Sequence, residues 1–169
     1  GTIFGTAEFL EFLERLGDDV IVVVDEAYVE FVENPRFPKT IGLIDRYPIV
    51  VLKTFSKAYG LAGLRVGYGI GSTALVSFME RTKQPFSINA VALAAARKAL
   101  EDDSYLQMVL ANNRKVRTFF NKALEDLSLE FVPTEANFVL ILVGASAEAI
   151  TRRMFDEKIL VRWMGAYGL

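Results

Sequence analysis

"PIVVLKTFSKAYGLAGLRVGYGIG", Pro48–Gly71, decides how the chain folds. Ile49–Leu52 are consecutive apolar residues, the composition of a strand buried in a sheet. Thr54, Ser56 and Lys57 follow where that run ends. "LRVGYGIG" reads as a shorter third strand weakened by glycines. Gly67, Gly69 and Gly71 leave room for close packing or for a bound ring. They do not form a dinucleotide fingerprint, which needs a strand, then glycines, then a helix. A GxxxxGK[ST] phosphate loop is also missing.

Upstream, "DVIVVVDEAY", Asp19–Tyr28, puts an unbroken branched run between two aspartates and predicts a strand buried on both faces. Phe9, Phe12, Leu13 and Leu16 recur at helical spacing before it and stop at Gly17. Pro35, Pro38 and Pro48 mark the stretch between the two strands as mainly loop, with a short helix near Thr40–Asp45. Downstream, Ser72 or Thr73 caps a helix running to Arg81, and "NAVALAAARKALEDD" is an Ala-rich helix suited to close packing.

The longest helical pattern spans residues 103–128, with Leu106, Val109, Leu110, Val116, Phe120, Leu124 and Leu127 on one stripe. "FVPTEANFVLILV" predicts a strand, "SAEAITRRMFDEK" a helix capped by Ser146, and "ILVRWM" a last strand. The expected fold class is α/β: a parallel-rich sheet layered by helices, plus a small C-terminal α/β lobe. Residues 1–102 are expected to form part of a large domain, 103–128 a connecting helix, and 129–169 part of a small domain.

Composition narrows the chemistry. The 169 residues contain no cysteine and no histidine, which removes thiolate nucleophiles, His-based triads and His-ligated metal sites. Acid–base work falls to Lys, Asp, Glu or Tyr. The net charge is -2 with both signs interspersed, unlike the basic stripe of a nucleic-acid binder. Hydrophobic residues make up 52% and the mean hydropathy is +0.29, high for a domain facing water. Yet no apolar run reaches the roughly 18–20 residues needed to cross a bilayer. The excess is core, or surface that expects a partner. The opening residues are not expected to be a signal peptide, and a cytoplasmic location is expected.

Open parallel sheets bind ligands beyond the carboxyl ends of their strands. Asp25 stands at such an end, either as a turn residue or as a half-desolvated carboxylate paired with a cation or donor. Tyr28 can return to the same crevice, whereas Glu26 reads as structural. Thr54 and Ser56 are two apart and direct their hydroxyls to one side. With a glycine-spaced turn behind them they suit a phosphate, and Arg65, eight residues past Lys57, can grip the same anion. An amine kept dry beside other cations suits covalent chemistry. Arg162, in "ILVRWM", lies at a sheet edge or faces a ligand, and Asn137 starts a strand.

"VVVDEAYVEF" followed by "KTFSKAYGLAGLRVGY" resembles the fold-type I pyridoxal-phosphate aminotransferases, and among them the histidinol-phosphate aminotransferase family. "KQPFSINAVALAAARKAL" and "EANFVLIL…ILVRWMGAYGL" resemble its later segments, so the likeness covers essentially the whole chain. The resemblance implies pyridoxal 5'-phosphate as cofactor. It implies that Lys57 carries the cofactor covalently and moves the substrate proton. Asp25 would hold the pyridine nitrogen protonated, and Tyr28 would bond the ring's 3-hydroxyl oxygen. Ser56, Arg65 and Thr54 would bind the phosphate, and Arg162 would lie near the substrate's acidic group. It further implies a small-molecule amino donor, a 2-oxo acid acceptor and a homodimer, with no nucleic acid or membrane partner.

The family's "NP…NPTG" segment and its arginine in an "LRI(T/S)(V/I)G"-like stretch have no counterpart between Gly1 and Leu169. The expectation is the later half of a larger enzyme, trimmed at both ends and inactive or nearly so alone. Another fold-type I enzyme, such as an aromatic aminotransferase or a threonine-phosphate decarboxylase, fits the same Asp–Lys–Arg frame. So does a non-catalytic domain that senses pyridoxal phosphate.

Overall fold

The computed structural model describes residues 2–17 and 19–168. Gly1, Asp18 and Leu169, which belong to the opening "GT", the residue pair before the first strand and the closing "GAYGL", lie outside the described residues. Helix α1 (Thr6–Leu16) opens with the Glu8 carboxylate accepting from the Gly5 backbone N–H at 2.8 Å. It ends at Gly17, whose φ of 77° suits glycine.

Strands β1 (Val22–Asp25), β2 (Ile49–Thr54) and β3 (Gly67–Gly71) form one sheet in that order. β1 and β2 are parallel, with Val24 opposite Val51, and β3 closes antiparallel on β2, with Ile70 opposite Val51. β2 is central, and its alternation serves both faces. Ile49 and Val51 pack with Phe9 and Leu13 of α1, and both are fully buried, each worth roughly 1.5–3 kcal/mol of apolar burial. Val50 faces the other side, where Gly69 and Gly71 let helix α2 (Thr73–Thr82) approach through Met79 and Leu75. Those glycines therefore serve close packing. Ser72 caps α2, accepting from the Leu75 N–H at 3.4 Å.

β1 is not buried on both faces as its composition predicts. Ile21 and Val23 are each 57% exposed, because β1 is an edge strand and, among the described residues, no element covers its α2-side face. Between β1 and β2 the expected short helix is a 3-10 turn over Thr40–Leu43.

Helix α3 (Ala90–Leu100) lays Ala92 and Ala96 on Phe55 and Val66, so the small side chains bring it close to the Lys57 loop. Helix α4 (Asp103–Asp126) is the long helix. Of its expected stripe, Leu124 is buried, while Val116, Phe120 and Leu127 face solvent. β4 (Glu130–Val132) and β5 (Leu140–Leu142) form a small antiparallel pair, and helix α5 (Ala147–Asp156) follows. Ser146 precedes α5 without a side-chain cap, since a 3-10 turn over Gly144–Ser146 already leads into the helix. "ILVRWM" forms no strand. Residues 159–164 are irregular and largely exposed, because no strand among the described residues lies beside them to pair with. No described helix is long and apolar enough to cross a membrane.

Candidate active site

Because β1 and β2 are parallel, their carboxyl ends open on one edge of the sheet, and Asp25 and Thr54 are their last residues. Alternation places both on the α2-side face, opposite the α1 core. Beyond each strand a side-chain-capped turn redirects the chain. Asp25 Oδ1 accepts from the Ala27 N–H at 3.1 Å, and Thr54 Oγ1 accepts from the Ser56 N–H at 3.1 Å. These turns bring Tyr28 and Lys57 together. The Lys57 ammonium lies over the Tyr28 ring, 5.0 Å from its centre, within cation–π range. Tyr28 thus returns to the crevice as its spacing predicts, while the Thr54 hydroxyl is engaged by the turn and does not stand free beside Ser56.

The loop carrying Lys57 is pinned from below. Phe55 and Ala58 are buried, the Phe55 N–H donates to the Val66 carbonyl, and the Gly60 N–H donates to the Lys57 carbonyl. Gly60 has φ 70°, and the Tyr105 hydroxyl occupies the place a Cβ would take. Arg65 sits on the returning leg in a left-handed conformation (φ 54°) and donates to the Ala62 carbonyl at 2.8 Å. It is exposed and hydrogen-bonds neither Ser56 nor Lys57 among the described residues. Arg162 is not brought to the site. Its guanidinium lies over Tyr167 at 5.9 Å, in the irregular segment.

Two features escaped the reading of the sequence. Phe138, next to Asn137, meets the Tyr28 ring edge-on at 5.1 Å and forms a wall of the site. On the opposite sheet face Lys53 continues the Ile49–Val51 row into a buried polar cluster. It pairs with Glu26 at 3.3 Å and Glu30 at 3.5 Å, and Glu26 also accepts from the Thr40 hydroxyl. Glu26 is structural, as expected. The alternation Ile49, Val51, Lys53 was the available signal for the cluster. Burial pushes the Tyr68 phenol up. Lys53 opposes that rise, and Glu30 and Glu26 add to it. Burial, then Glu30, raises Tyr59. A shallow cleft of about 330 Å³ borders this cluster near Phe37 and Ile41, away from Lys57.

The sequence profile of the aminotransferase class I and II family matches residues 1–169. The chain belongs to that family. Among aminotransferases of known name it is 36% identical to histidinol-phosphate aminotransferase of Brevibacillus brevis, over 99% of this chain and 46% of the relative. It is 39% identical to that of Akkermansia muciniphila, over all of this chain and 46% of the relative. A solved histidinol-phosphate aminotransferase of Sinorhizobium meliloti, in complex with pyridoxal-5'-phosphate, superposes with a TM-score of 0.88 at 31% identity. The match covers 96% of this chain and 45% of that one. The chain therefore spans about half the length of the curated aminotransferases it matches.

Proposed function

We propose that this chain supplies the lysine-bearing part of a pyridoxal-5'-phosphate-dependent aminotransferase that moves an amino group from L-histidinol phosphate to 2-oxoglutarate. Its similarity, from end to end, to histidinol-phosphate aminotransferases carries the reading. The donor set fits the cofactor. A carboxylate, a phenol, hydroxyls, an amine and a guanidinium stand at or beside the carboxyl ends of two parallel strands, with a lysine held over an aromatic ring.

Pyridoxal 5'-phosphate, when bound, supplies an electron sink for bond breaking at the substrate's α-carbon. Asp25 would keep the ring nitrogen protonated, and Tyr28 would donate to the ring's 3-oxygen. Ser56 would hold the phosphate, with the Thr54 hydroxyl donating while it caps its turn and Arg65 joining once its guanidinium leaves the Ala62 carbonyl. Lys57 would be the amine that holds the cofactor and the group that moves the substrate's α-proton. Arg162 serves the donor's acidic group once its segment is packed. In this reading residues 1–102 belong to the large domain, 103–128 connect, and 129–169 belong to the small domain of a cytoplasmic homodimer.

The test is competition. The chain is loaded with pyridoxal 5'-phosphate, and amino donors are added at equal concentration before borohydride fixes the cofactor that remains on Lys57. L-histidinol phosphate is expected to release more than L-phenylalanine or O-phospho-L-threonine. Equal release by all three rejects the substrate. Steady turnover with 2-oxoglutarate is expected to fall well below the roughly 1–10³ s⁻¹ typical of enzymes. Turnover in that range contradicts the partial-site reading.

A further inference from the structure

Phe138 is 47% exposed, so burial alone does not hold it against Tyr28. What holds its turn is ionic and lies outside the site. Glu33, in the loop after β1, accepts from Arg114 Nη1 at 2.8 Å on one carboxylate oxygen and from Arg117 Nη2 at 3.0 Å on the other. Arg117 Nη1 donates to the Glu135 carbonyl at 3.1 Å and to its carboxylate at 3.4 Å. The same Glu135 oxygen accepts from the Glu33 backbone N–H at 3.2 Å. These bonds close a ring through Glu33, Arg117 and Glu135, joining the β1 loop, α4 and the β4–β5 turn.

Arg117 and Glu135 are only 20% and 24% exposed, so their pairing is less screened than that of a free surface bridge. Asn113 Nδ2 also donates to the Ala136 carbonyl at 3.4 Å, and Ala136 is buried. The backbone at 135–136 is thereby anchored to α4 just before Phe138. From there the contacts are continuous: Phe138 edge-on to Tyr28, and Tyr28 beneath the Lys57 ammonium.

We propose that Arg117, acting through the ring with Glu33 and Glu135, is a positioning residue for Lys57. It fixes the 133–138 turn so that Phe138 backs Tyr28 and Tyr28 holds the lysine in place. The chemical purpose of that placement rests on the cofactor reading above. The placement itself does not.

Borohydride capture of pyridoxal 5'-phosphate on Lys57, quantified by peptide mass, tests it in the full chain. Arg117→Met is expected to lower capture about three- to tenfold, within the span of couplings carried by such networks. Arg117→Lys should restore part of it, because an ammonium cannot bridge both carboxylates as the planar fork does. Phe138→Ala should lower capture to a similar extent, and adding Arg117→Met to it should change nothing more, since both act along one path. Glu135→Gln, which keeps the side chain's size, provides the same comparison if Arg117→Met fails to fold.

The proposal is overturned if Arg117→Met lowers the urea midpoint but leaves Lys57 capture unchanged, or if the two substitutions multiply. If the wild-type chain captures no cofactor on Lys57, the cofactor reading has failed separately. Placement is then judged by acetylation. The Lys57 to Lys98 labelling ratio should rise about threefold in Arg117→Met, and an unchanged ratio overturns the proposal.

Discussion

The strand ends that carry Asp25 and Lys57 and the segment that carries Arg162 differ in what lies beneath them. Under the first are a strand whose first three residues are buried, a buried polar cluster and an Ala-faced helix. Under the second there is little. Leu160 is 79% exposed, and Ile159, Val161 and Trp163 are about half exposed, although the segment is as apolar as β2. Apolar composition alone does not order a strand. It orders one when a neighbouring backbone takes its hydrogen bonds and a helix covers its face. In this chain the strand ends with Asp25 and Lys57 rest on packed structure, and the segment with Arg162 does not.

Substitutions in the supported region should cost most. Lys53→Met leaves Glu26 and Glu30 buried without their cation, and about 3–5 kcal/mol of stability should be lost in urea unfolding. Adding Glu26→Gln and Glu30→Gln should recover most of it. A single-variant loss below about 1 kcal/mol would remove the cluster from the supporting framework. Ile49→Ala should cost about 2–5 kcal/mol by the same assay, from lost burial and the cavity left behind.

Tyr68 should show a smaller effect, confined to alkaline pH. The fold raises its pKa, so its contribution is complete below the unfolded value of about 10 and fades as pH rises through the folded one. From pH 8 to pH 11 the wild type should therefore lose more thermal stability than Tyr68→Phe. Parallel curves would show that the phenol is not held protonated. Smallest of all, Leu160→Ala should stay within about 0.5 kcal/mol of the wild type. A cost comparable to that of Ile49→Ala would erase the difference between the two regions.

Much of the supported region was legible in the sequence because its signals are local. Branched runs marked β1 and β2, Ser72 marked the start of α2, and Asp25, Tyr28 and Lys57 sat at strand ends where a short turn decides their direction. The unsupported region misled for the same reason. "ILVRWM" has strand composition, and no local feature says whether a partner strand exists. β1 was overread likewise, because a buried strand and an edge strand can share one sequence. Phe138 and the Arg117 ring were out of reach. They depend on contacts between Glu33, Arg117 and Glu135, residues far apart in the chain that leave no periodic or motif signature. Lys53 lay between these cases, since alternation pointed it into the core without saying what it would meet there.

The central claim is that Lys57, held over Tyr28, is the lysine of a pyridoxal-phosphate site. Its most direct test is where the pyridoxyl group lands when the chain is incubated with pyridoxal 5'-phosphate, reduced with borohydride and mapped by peptide mass. The account predicts an adduct concentrated on Lys57 and largely lost in Asp25→Ala. An adduct spread over exposed lysines such as Lys83, Lys98 and Lys122, and indifferent to Asp25, would contradict it.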